Sequence, residues 1–92
     1  MFVLYVALMK PRAGKLNEAL ARRLKLQAPE GMRVLAEYWL QSADLAVVAV
    51  FEADSIAPML QFEATWDDVM GVNIVPAVSA EEGMELAKQM MG

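Results

Sequence analysis

The sequence contains no cysteine and no histidine. Without cysteine there is no disulfide, no thiolate nucleophile and no thiolate metal ligand, a usage that fits a cytoplasmic protein. Without histidine, the side chain that most often serves as general base and metal ligand is missing, and histidine-ligated haem is excluded. No cofactor is expected. Long apolar runs are also lacking. The longest, Met1 to Met9, has nine residues, against about 20 for a membrane-spanning helix. No basic segment precedes it and Lys10 closes it, so neither a membrane association nor a signal peptide is expected. No phosphate-binding glycine loop and no nucleophile-base pair occurs. The acid pairs Asp67-Asp68 and Glu81-Glu82 are adjacent within helical segments, where neighbouring side chains point apart, so no metal site is expected. The stretch around Phe51 lacks the basic-glycine-aromatic pattern of RNA-binding sheets. With eight Lys and Arg against twelve Asp and Glu, no nucleic-acid partner is expected.

What the chain does have is apolar surface in excess. Its 92 residues make one domain, and 58% of them are hydrophobic, where about 45–50% is usual. Surplus apolar surface on a small domain ends up in an interface or a ligand pocket. The net charge of −4 is unevenly placed. Lys10, Arg12, Lys15, Arg22, Arg23 and Lys25 crowd residues 10 to 25 with Glu18 alone against them, whereas Lys88 is the single base from Glu52 onward. Such a split marks two solvated helix faces of opposite sign, a partner contact or an anion site near the first helix.

Residues 2 to 9, "FVLYVALM", form an apolar run of strand length. "RAGKLNEALARRLKLQ" changes the period: Leu16, Leu20 and Leu24, with Ala13 and Ala19, predict one helical stripe. Pro29-Glu30-Gly31 ends that helix. Met32 to Leu40 and Leu45 to Glu52 are the second and third strands, and a loop as short as Gln41-Ser42-Ala43-Asp44 makes them an antiparallel hairpin. Asp54 or Ser55 is placed to cap a second helix with a wide stripe from Ile56 to Trp66, Pro58 falling near its first turn. "VNIVPAV" is a fourth strand, and Ser79-x-x-Glu82 is a capping box opening a last helix.

The order β-α-β-β-α-β plus a terminal helix predicts an α+β, ferredoxin-like domain with an antiparallel four-stranded sheet. The two most apolar strands, first and third, belong in its middle. Pro76 and the charged Glu37 and Arg33 fall on the fourth and second strands, where an edge tolerates them. Two helices cover only one face of such a sheet, yet the first and third strands are apolar on both. The last helix, short and containing Gly83, is a partial cover at most. A second copy of the chain is the better one, giving a homodimer or a higher oligomer. "GMRVLAEYWL…VVAVFEAD" and "VPAVSAEEGMELA", with this order of elements, resemble the dimeric α+β-barrel superfamily, and within it a family of short prokaryotic proteins described only as a domain of unknown function. The resemblance implies two sheets closing around a small cavity. Relatives in that superfamily include cofactor-free monooxygenases, haem-degrading enzymes, lactone isomerases and stress-response proteins, and the lack of histidine departs from the haem-binding members.

Strict alternation puts Leu35, Glu37 and Trp39 on one face of the second strand and Val34, Ala36, Tyr38 and Leu40 on the other. If the more polar faces line the barrel, Tyr5, Glu37, Trp39 and Asn73 converge there, with Trp66 closing a mouth. That cluster suits a small apolar or aromatic ligand. Glu37 and Tyr5 are then the candidate catalytic pair, the apolar setting raising the carboxyl's pKa toward useful acid-base chemistry. Alternatively Glu37 guards an edge or pairs with Arg33 or Arg12, the two tryptophans pack, and Asn73 serves the turn at Gly71. The barrel is then solid and the protein a structural or regulatory dimerisation module.

Overall fold

The computed structural model of the chain describes residues 3–41 and 46–92. Apart from Gln41, the loop expected at Gln41-Ser42-Ala43-Asp44 lies outside the described residues, as do Leu45 and Phe2. The elements are β1 (Val3–Pro11), α1 (Leu16–Leu24), β2 (Met32–Trp39), β3 (Val47–Ala53), α2 (Ala57–Trp66), β4 (Met70–Ala77) and α3 (Ala80–Met91). The strands form one antiparallel sheet in the order β2-β3-β1-β4. This is the ferredoxin-like α+β topology, with the two most apolar strands central and Pro76 on an edge.

Alternation sorts the central strands into two faces. Tyr5, Ala7 and Met9 of β1 and Ala49, Phe51 and Ala53 of β3 are buried beneath the helices, and Tyr5 stands opposite Phe51 in the register. Leu4, Val6 and Leu8, with Val48 and Val50, take the opposite, open face. From α2, Met59, Phe62 and Trp66 close over the first set, the Phe51 and Phe62 rings meeting edge to face at 4.9 Å. The Cα envelope measures 51 × 30 × 16 Å. Its short dimension fits one sheet plus one helix layer, since layers stack about 10 Å apart.

The second strand departs from strict alternation. Val34 pairs with Phe51 and Ala36 with Val50, so Leu35 is an extra residue on β2. This bulge returns Val34 to the face shared by Glu37 and Trp39, while Ala36 and Tyr38 stay on the other. The expected grouping of Leu35 with Glu37 and Trp39 is corrected accordingly. The turn into β2 is made by Gly31 at φ +91, where a Cβ would lie 3.2 Å from Pro58 Cγ. Glycine is favoured there by conformation, and any Cβ would in addition press on Pro58.

Two helix starts differ in kind. Ser79 Oγ accepts from the Glu82 N–H at 3.0 Å, the cap that the Ser-x-x-Glu spacing predicts. Neither Asp54 nor Ser55 caps α2. β3 runs on to Ala53, a bend follows, and Ile56 is the cap residue without a side-chain bond. Pro58 does sit in the first turn. Leu24 ends α1 and is 84% exposed, not part of its inward stripe. No residue of α3 is buried, and Met90 and Met91 are almost wholly exposed. The final helix therefore does not serve as a cover for the open face.

Candidate functional site

Ala19 is the one buried residue of α1, and with Ala49 and Val47 of β3 it lines a space between the helix and the sheet. Residues of this size cannot fill the distance between a helix and a sheet, and a crevice of about 810 Å³ results. Leu16, Leu20 and Leu26 form its helix side, Phe51, Phe62 and Trp66 its inner wall, and Trp39, Leu40 and Gln41 its end along β2. Trp39 is 53% exposed, so that end is open to solvent.

Charged groups bind the rim together. Arg23 donates to Glu37 through Nε at 2.9 Å and through a terminal nitrogen at 2.9 Å, a two-pronged ion pair joining α1 to β2. The Trp39 indole N–H donates to the same carboxylate at 2.6 Å. The hydrogen bonds from Arg23 hold the Glu37 carboxyl below its ordinary value of 4.5, outweighing the upward push of partial burial, and the Trp39 N–H adds to the lowering. The expectation of a raised pKa is thus reversed. A carboxylate in a largely apolar crevice stays charged because a guanidinium shares it. Nearby, Arg22 donates to the Thr65 carbonyl at 2.7 Å and pairs with Asp68, while Arg12 donates to the Asp67 carbonyl at 2.7 Å. Much of the basic cluster is therefore spent on tying α1 and the end of β1 to the last turn of α2 and the residues just after it.

Because the folded Glu37 carboxyl titrates low, its contribution to stability is complete above the ordinary value of 4.5 and disappears as pH falls through the folded value. Glu37→Gln is expected to cost about 1 kcal/mol at neutral pH, given the half-exposed arginine. Its deficit against the parent protein should shrink at an acid pH well below 4.5, as the parent carboxylate is itself neutralised. Urea unfolding at both pH values checks this; an unchanged deficit would mean that the pair does not set the acid limit.

Three of the five residues singled out in the sequence, Glu37, Trp39 and Trp66, line the one crevice. It lies on the helix side of the sheet rather than between two sheets. Trp66 is 3% exposed and forms inner wall, not a closing mouth. Tyr5 is on the same side of the sheet but outside the lining, packed in the core. Asn73 stands beside Leu8 on the open face, remote from the rest and within β4 rather than in a turn at Gly71. Glu37 pairs with neither Arg33, which meets Glu52, nor Arg12. Arg23 was missed, although its place was readable: it falls seven residues after Leu16 and four after Ala19, on the inward stripe itself.

Among the described residues no group of acids is arranged to hold a metal ion, and no helix is long and apolar enough to cross a membrane. Residues 2–91 match the family described as domain of unknown function DUF3303, and the chain belongs to it. Neither a curated protein nor a solved structure matches the chain significantly.

Proposed function

We propose that this member of the DUF3303 family is a homodimeric small-molecule-binding protein of the cytoplasm, each subunit holding an apolar ligand beneath α1. The crevice carries this reading. A space of about 810 Å³, walled by aliphatic and aromatic side chains and furnished with a few fixed polar groups, has the form of a small-molecule site, for which volumes of about 300–1,000 Å³ are usual. Trp39 offers a flat face at the open end. Glu37, held ionised by Arg23, suits a rim clasp better than a proton acceptor, which favours a carrier or sensor over an acid-base enzyme.

Pairing is supported by the other side of the sheet. Leu4, Val6, Leu8, Val48 and Val50 share a face, Val75 continues it on β4, and α3 buries no residue against it. An apolar sheet face of that extent calls for a cover, and a second copy pairs like with like about a two-fold axis. Both subunits then keep their crevices outward.

Native mass spectrometry of gently purified protein tests both parts. The expected result is a dimer carrying additional small-molecule mass. A monomer would remove the pairing. A bare dimer whose melting temperature also fails to rise with any of a panel of neutral aromatic compounds would remove the pocket.

A further inference from the structure

Although α3 is amphipathic, none of its twelve residues is buried. Ala80, Met84, Ala87 and Met91 recur at spacings of four, three and four, which sets them on one stripe of the helix. That stripe is exposed along its whole length, Met84 by 62% and Met91 by 89%. Gly83 and Met90 border it on one flank, Glu81 and Lys88 on the other, and Glu82, Glu85 and Gln89 take the far side. Among the described residues, no charged group of α3 enters an ion pair.

We propose that the apolar stripe of α3 docks on the α3 stripe of a second copy, the two helices running antiparallel. The charges set the direction. In an antiparallel pair Ala80 meets the partner's Met91 and Met84 meets the partner's Ala87, so each layer sets a small side chain against a large one. Glu81 then comes to the partner's Lys88 along the flank, twice by symmetry. A parallel pair would bring Lys88 to the partner's Gly83, where there is no charge to meet. Helices of this length are marginal by themselves, so the contact adds to the pairing through the open sheet face and rests on that reading. The sheet face is small for the task. Four strands about 4.8 Å apart, paired over seven residues at about 3.4 Å each, cover roughly 450 Å². A stable interface buries about 800 Å² on each partner. The stripe of α3 supplies further apolar area between the same two subunits.

Sedimentation velocity over a concentration series tests the contact. Glu81→Lys and Lys88→Glu each turn two attractive pairs into repulsive ones. Each is expected to raise the dimer dissociation constant on the order of 5- to 30-fold. Combined in one chain they restore both pairs with the signs exchanged, and the constant should return to within about threefold of the parent's. Within one helix the two positions lie about 10.5 Å apart along the axis, too far to repair each other, so rescue reports contact between copies. Both side chains are exposed in the subunit, which leaves its folding out of the comparison. Silent single substitutions in a chain that still pairs would overturn the inference and leave the open-face pairing standing, as would a double variant weaker than either single one. A monomeric parent would overturn both. A parent tetramer that these variants reduce to dimers would place α3 between dimers and overturn the shared contact.

Discussion

Phe51→Ala is expected to cost about 3–5 kcal/mol, the range for removing a buried phenylalanine. A domain of this size has roughly 5–15 kcal/mol in total, so the variant should lose a large share of its stability and unfold at a markedly lower urea concentration. Phe51 is 1% exposed on a central strand. It stands between Tyr5 of β1 and Val34 of β2 in the register and meets the edge of Phe62, so one side chain joins three strands and α2. The space it vacates cannot close easily, since its neighbours Ala49 and Ala53 are small and the crevice already lies alongside. A urea midpoint shifted by the equivalent of less than about 1 kcal/mol would show that α1 settles into the gap, and that the crevice is more compliant than its wall suggests.

Val50→Asp is expected to leave the subunit folded and abolish the pairing proposed above. Val50 lies at the middle of the open face, between Val6 and Ala36. In the separate subunit the carboxylate meets water, and the cost is limited to the lower strand preference of aspartate, within about 1 kcal/mol. In a face-to-face dimer two such groups are buried without partners, each opposed by several kcal/mol of desolvation. The dissociation constant should rise at least about 100-fold, which corresponds to roughly 2.7 kcal/mol. Sedimentation velocity over a concentration series reads this directly. A dimer as tight as the parent's would move the interface elsewhere on the molecule.

Much of the fold was legible because local signals agreed with one another. Apolar runs gave the strands, leucine and alanine spacing the first helix, Ser79 and Glu82 the start of the last, and Pro76 an edge. The bulge was not legible. Val34, Leu35 and Ala36 are all apolar, so nothing in their pattern marks which of them is the extra residue, and a slip of one reverses every side chain before it. Arg23 was hidden by its charge. A long arginine stem lies along apolar surface while its head reaches a carboxylate, and a stripe drawn through leucines alone runs past it to Leu24. The crevice was hidden for a different reason. Alanine at positions 19 and 49 reads as ordinary helix and strand, and only the folded chain brings both small residues to the lining of one space. The four polar candidates do not share a face, because polarity was used to choose one for all of them, whereas the register puts Asn73 on the open, mostly apolar face and Tyr5, Glu37 and Trp39 beneath the helices.

The extra residue at Leu35 also bears on how far assembly can go. It kinks the outer strand on one side of the sheet, and on the other side Pro76 offers no N–H. Strand-by-strand addition needs straight rims with regular donors, and both rims here are interrupted. Growth along the hydrogen-bonding direction, the route to ribbons and fibres, is disfavoured at each end. The proposed pairing instead uses the open face, which can be used once. A chain this rich in apolar residues is thereby steered toward a finite object rather than an open-ended one.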